Sequence, residues 1–349
     1  MKSLHISGIA AAAAFAAAYL PPATPAIAAE SVNVYSYREA ALIEPLLKAF
    51  EAKTGIKVNA VYGKDGLIER IAAEGRNSPA DVLLTNEFAL LLAARDAGIT
   101  QGIKTPAVES SIPAEYRDPD GHWFGLTRRA RVIYASKDRV KQDAITYEEL
   151  AEPKWKGKIC SRSGQYTYNT SLIASIIAHK GEAYAEKWLK AVKENLAQKP
   201  SGGDRDQAKF VFEGRCDIGI GNTYYMGAMT RNEKKPEEQK WAASIKLLFP
   251  NAAERGAHVN ISGAAIAKNA PNKANAIKLV EFLAGVEAQQ TYAAANNEYP
   301  VRPDVAPSKI VQSWGELKAD KIPLAEWAKL RKKASELVDK VGFDNGPSS

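Results

Sequence analysis

From Ser31 onward the apolar residues switch repeatedly between a period of two and a period of about 3.6, and that alternation admits few architectures. Val32-Asn33-Val34-Tyr35-Ser36 reads as a strand, Leu42 to Phe50 as a helix ending near Gly55, and Ile56 to Tyr62 as a second strand. Gly66 to Ala73 reads as a second helix, Asp81 to Leu84 as a third strand, and Phe88 to Ala97 as a third helix. Such a succession predicts an α/β fold, with a mostly parallel sheet carrying helices on both faces. Ligands of such sheets lie at the carboxyl ends of the strands, and the first such end here is Tyr35-Ser36-Tyr37-Arg38.

The next long apolar segment, Trp123 to Tyr134, is extended and long enough to cross between two lobes, with Arg129 and Arg131 on one face. Beyond it, Lys158-Ile159-Cys160 predicts a strand, and Tyr168-Asn169-Thr170 opens a helix over Leu172 to His179. Helices are expected at Ala183 to Leu196, Gln207 to Glu213, Ala274 to Leu283 and Glu287 to Ala295, with a return strand at Gly263 to Ala267. A single last helix is expected from about Leu324 to Val341. A chain of 349 residues, 46% of them hydrophobic, can bury the cores of two lobes.

The first 28 residues read as a targeting segment. Lys2 precedes an Ala-rich run from Ile6 to Leu20, followed by Pro21-Pro22 and the small-residue site Ala26-Ile27-Ala28. The run is too short to span a bilayer comfortably, and no Cys near the cleavage site offers a lipid anchor. Export without an anchor indicates a Gram-negative periplasm. Two cysteines, Cys160 and Cys216, fit that oxidising compartment either as a disulfide or as a pair of buried thiols. The formal net charge of +7 is spread along the chain with no basic run interleaved with aromatics, which argues against nucleic acid and suits an anionic ligand.

The chemistry concentrates at Cys216-Asp217-Ile218-Gly219-Ile220-Gly221-Asn222-Thr223-Tyr224-Tyr225. A Gly-flanked apolar run reads as a short buried strand, and Asn222 or Thr223 can cap the helix that follows. Tyr224 and Tyr225 then lie near a helix N-terminus, whose partial positive charge favours an anion. Tyr168 stands at a similar strand-to-helix junction. A phenol ionises near pH 10 on its own, so phenolate needs a partner, and a hard, highly charged cation supplies one. Three anionic oxygens suit Fe³⁺ better than zinc or copper. The four histidines form no His-x-x-x-His pattern, and Cys-x-x-Cys, calcium-loop, Gly-x-Ser-x-Gly and phosphate-loop patterns are absent from the sequence. A hydrolase therefore lacks its nucleophile constellation.

Taken together, Tyr35-Ser36-Tyr37-Arg38, Gly125-Leu126-Thr127, Arg129, Arg131-Val132, Cys160 to Gly164, Tyr168-Asn169, Gly202 to Gln207, Tyr224-Tyr225 and Asn297 to Val301 resemble the ferric-ion-binding substrate-binding proteins of bacterial ABC importers. The resemblance covers essentially the whole mature chain. It implies a two-lobed periplasmic-binding-protein clamp with hinge crossovers, its N-lobe formed by 30–130 plus about 252–300 and its C-lobe by about 131–251 plus 301–349. It implies Fe³⁺ held by Tyr168, Tyr224 and Tyr225, with Arg38 and Arg129 gripping a synergistic anion such as carbonate. It implies a monomer that serves an inner-membrane ABC permease and is not an enzyme. Some relatives add a His-Tyr pair after the first-strand Arg; here Arg38 is followed by Glu39-Ala40-Ala41-Leu42, which leaves Tyr37 as a possible extra contact. The competing expectation is the same clamp around an oxyanion, polyamine or thiamine-like molecule, with the tyrosines stacking or hydrogen-bonding.

Overall fold

A computed structural model describes residues 30–348 together with Met1. Apart from that first residue, the targeting segment expected over 1–28 lies outside the described residues.

Strand and helix alternate at the start, in the order β1 (Ser31–Ser36), α1 (Ala40–Thr54), β2 (Lys57–Tyr62), α2 (Leu67–Glu74), β3 (Val82–Thr85) and α3 (Phe88–Asp96). The short α4 (Pro106–Ser111) leads to the long strand β4 (Phe124–Ser136). Next come β5 (Ile159–Cys160), α5 (Thr167–Lys180), α6 (Glu182–Glu194), α7 (Asp204–Phe212), β6 (Ile218–Asn222), α8 (Thr223–Thr230), α9 (Pro236–Ala243) and β7 (Ile245–Leu248). The chain finishes with β8 (Val259–Ile266), α10 (Lys273–Ala284), α11 (Val286–Asn296), β9 (Tyr299–Pro300), α12 (Lys309–Gln312), α13 (Leu324–Ala328) and α14 (Arg331–Val341).

The pattern of apolar residues explains the helices. In α1, Ile43, Leu46, Leu47 and Phe50 recur at helical spacing and are buried, and Gly55 ends the helix at φ 72°, a left-handed geometry that glycine adopts without strain.

Strand order is β2-β1-β3-β8-β4-β6-β5, with β7 and β9 also pairing with β4. Among the named strands of the described residues, parallel pairs are β1–β2, β1–β3 and β5–β6. The remaining pairs are antiparallel, so the sheets are mixed. The reason is the return of the chain: β8 re-enters between β3 and β4, and β4 serves both lobes. Its first part, Phe124 to Ala130, pairs with β8, and its second part, Arg131 to Ser136, pairs with β6 and β7. The crossing expected over Trp123 to Tyr134 is therefore one continuous strand of 13 residues.

Val32, Val34, Phe50, Leu279 and Tyr292 pack in the core of the first lobe. Ile133, Ile159, Ile176, Trp188 and Leu337 pack in that of the second. One expectation fails at the end of the chain. The helix expected from Leu324 to Val341 is broken between Ala328 and Arg331. The break lets fully buried Trp327 meet Phe88 and His258 edge-on, while Ala334, Leu337, Val338 and Val341 turn to the second core.

Candidate metal centre

The Gly-rich strand β6 forms where expected, and Gly221 is required there: a Cβ would stand 2.2 Å from the Tyr134 ring. Tyr134 lies under the strand and donates its hydroxyl to Asn222 O at 2.5 Å. Asn222 is the residue before α8, but its side chain does not cap the helix. Its Oδ1 instead accepts from Arg131 Nη1 at 3.1 Å. Tyr224 and Tyr225 follow in the first turn of α8, their ring centroids 4.2 Å apart. Tyr168 lies in the first turn of α5, and its hydroxyl is 3.1 Å from that of Tyr224. Three phenols from two helix starts thus converge.

Asp204 fixes this corner. Fully buried at the first turn of α7, it accepts from Arg131 Nη1 at 2.6 Å, Arg162 Nη1 at 3.1 Å and the Asn222 backbone N–H at 2.8 Å. In the run Asp204-Arg205-Asp206, Asp206 caps the helix, accepting from Gly203 N at 2.7 Å. Asp204 turns inward because two guanidinium groups await it.

Cation–π contacts surround the phenols. The Arg129 and Arg131 guanidinium carbons lie 5.9 and 5.8 Å from the Tyr168 ring centroid, and Arg205 lies 5.1 Å from that of Tyr225. Tyr166 was not singled out from sequence, although it shares the Tyr-x-Tyr spacing with Tyr168. It meets the Tyr168 ring edge-on at 5.0 Å and lies beneath Arg162.

Arg38 reaches this region from the first lobe. It is buried and forms a two-pronged pair with Glu298, at 3.2 and 3.0 Å, and donates to Ser262 Oγ at 2.9 Å. Thr127 donates to the same carboxylate at 2.5 Å. Burial alone would weaken the Arg38 charge, but Glu298 holds its pKa above the ordinary value. Its Nε is buried with no partner in the protein. Arg129 is held by the Asn86 carbonyl and by Ser262 Oγ. A cleft of about 420 Å³ is lined by Arg38, Asn86, Tyr168, Tyr224, Tyr225 and Asn297. Arg129 borders a smaller, water-sized space behind Tyr168.

Tyr37 is elsewhere. Its ring packs with Leu67, Ile68 and Ile71, and its hydroxyl accepts from Ile68 N at 3.0 Å. Strand alternation sends it to the face away from the cleft, so it does not join the other five residues.

Burial sets the protonation of the phenols. It pushes Tyr168 up to about 12, aided by Tyr225. Tyr224 is lifted well above the ordinary phenol value by burial and by Tyr168 and Tyr225, and Tyr225 is raised by burial and Asp204. All three are therefore neutral at pH 7. Among the described residues, no cluster of three or more His, Cys, Asp or Glu forms an alternative metal site. His258, at the small space behind Tyr168, is pushed down to about 3 by burial and by Arg131 and Arg129, so it stays neutral. Cys160 and Cys216 form a disulfide joining the end of β5 to the segment before β6.

The family model for bacterial extracellular solute-binding proteins matches residues 35–290. The chain belongs to that family. Among its curated relatives, iron uptake protein A1 of Synechocystis is 42% identical over 90% of this chain and 88% of its own. A Bordetella ferric binding protein of known structure superposes with a TM-score of 0.86 at 53% identity, covering 90% of this chain and 100% of its own. A Trichodesmium protein of known structure, in complex with iron and citrate ligands, gives a TM-score of 0.86 at 44% identity over 90% of this chain and 99% of its own. These likenesses fit the two-lobed clamp around the cleft.

Proposed function

We propose that this protein is an extracytoplasmic receptor that captures Fe³⁺ in the cleft between its lobes and delivers it to an ABC permease of the inner membrane. The observation that carries this reading is the convergence of Tyr168, Tyr224 and Tyr225, which can present three anionic oxygens to one hard cation. Relatives named for iron uptake and ferric binding support it. The N-lobe is taken as 30–130 plus about 252–300 and the C-lobe as about 131–251 plus 301–349, with the phenols on the C-lobe. A small anion such as carbonate fills coordination positions that the phenolates leave open, held by Arg38 and Arg129. The unpartnered Arg38 Nε is the donor still free for it. The protein acts in the periplasm as a monomer and changes nothing covalently in its cargo.

Ferric citrate added to purified protein tests the reading. Phenolate-to-iron charge transfer produces a visible band that Tyr168→Phe, Tyr224→Phe and Tyr225→Phe fade or shift. A colourless wild-type protein, or three variants that bind iron like the wild type, would overturn it. An oxyanion, polyamine or thiamine-like solute bound without colour would then take its place.

A further inference from the structure

Helix α8 begins with two phenols and ends against the opposite lobe. Its Met226 and Met229 pack with Ala130, Val132 and Tyr134 in the second lobe, whereas Ala288 and Tyr292 of α11 belong to the core of the first. Between them, Arg231 at the end of α8 donates from Nη1 to Ala294 O at 2.8 Å and from Nη2 to Ala295 O at 3.1 Å. These carbonyls belong to the last turn of α11, the end of a helix that carries partial negative charge and unpaired acceptors. One turn earlier, Gly227 faces Asn297. A Cβ on Gly227 would stand 2.4 Å from Asn297 Cγ and 2.6 Å from its Cβ. Asn297 cannot easily withdraw, because it ends α11 in the left-handed region at φ 56°. The outer face of α8 is thus fitted to the end of α11 by a missing side chain at one position and a guanidinium at the next turn.

We infer that Gly227 and Arg231 form the closure latch of the clamp: positioning residues that hold the lobes shut at the wall of the cleft, which Arg231 also lines. The inference rests on the ferric-receptor reading and adds what governs release. Tyr224 and Tyr225 stand at the other end of the same eight-residue helix, so a tilt of α8 that breaks the latch also moves two of the three phenols. Opening and loss of ligands become one rigid-body event. Arg231 is exposed, which keeps the latch weak enough to be undone.

The test compares wild type, Arg231→Ala, Arg231→Lys and Gly227→Ala, each loaded with ferric citrate and then mixed with excess EDTA. Arg231→Ala keeps the position of the visible band but loses iron about three- to tenfold faster, a change of about 0.7–1.4 kcal/mol. Arg231→Lys recovers part of the difference. Gly227→Ala also releases faster, and small-angle scattering of the loaded protein shows less compaction than in wild type. Alanine favours helix over glycine by about 1 kcal/mol, so this variant blocks docking without unfolding α8. A coloured wild type whose variants all release and compact as it does overturns the latch and leaves the receptor reading standing. A wild type that takes up no ferric iron overturns both.

Discussion

If Tyr168, Tyr224 and Tyr225 hold Fe³⁺ as proposed, capture expels protons, and their number follows from the protonation of the three phenols. In the iron-free protein burial holds Tyr168 up to about 12 and lifts Tyr224 and Tyr225 above the ordinary phenol value, so all three carry protons at pH 7. Coordination takes the phenolates, and one ion therefore displaces about three protons. The free protein holds more protons than the loaded one, so binding strengthens as pH rises and weakens as it falls. Three protons at about 1.36 kcal/mol per pH unit give about 4 kcal/mol, or about a thousandfold in the affinity for free Fe³⁺, for each unit. The slope persists across neutral pH and flattens only as the raised phenol pKa values are approached. Calorimetric titration with ferric nitrilotriacetate in buffers of different ionisation enthalpy counts the protons directly. Those taken up by the freed chelator are common to wild type and variants and cancel in the difference. Tyr168→Phe, Tyr224→Phe and Tyr225→Phe should each lower the count by about one. A count unchanged in all three would refute phenolate coordination, whatever the affinities.

Other perturbations separate the parts of the site. Bicarbonate-free buffer should weaken iron binding, and Arg38→Ala or Arg129→Ala should blunt the recovery when bicarbonate returns; an affinity and spectrum indifferent to the anion would point to a further protein ligand. Asp204→Ala strands the buried Arg131 and the partly buried Arg162 and removes the acceptor for Asn222 N, so it should cost about 3–5 kcal/mol in urea unfolding; an unchanged midpoint would deny Asp204 its role as anchor. The Cys160–Cys216 bridge closes a loop with a sequence separation of 56, and losing it in a double Cys→Ala variant should cost about 4 kcal/mol in the same assay. Equal stability with and without the bridge would sink that estimate.

The sequence disclosed what is local. Alternating periods announced the α/β organisation, and the Gly-flanked run before Tyr224 announced a strand giving way to a helix. Tyr168 was visible for the same reason at the start of α5. Side-chain direction was harder to read. Asp204 and Asp206 are equally plausible caps on paper, and Arg131 and Arg162, 73 and 42 residues away, decide which turns inward. Arg38 was legible as a cleft residue, but Glu298, 260 positions later, was not, since no local pattern links such distant partners. Tyr37 looked available because it adjoins Arg38, yet strand alternation sends its hydroxyl to Ile68 instead. The break before Arg331 interrupts apolar residues that keep helical spacing on both sides, so periodicity alone does not mark it.

The re-entry of β8 between β3 and β4 also bears on how the protein comes into being. The first sheet keeps a gap until residues 259–266 fill it, and Arg38 stays without its carboxylate until Glu298 arrives. A ribosome delivers these pieces last. The opening hundred residues cannot complete a core of their own, and contacts between such distant partners form slowly because long loops must first be closed. For a chain expected to thread a membrane before it folds, this wiring means that the clamp is complete only when its final third is present.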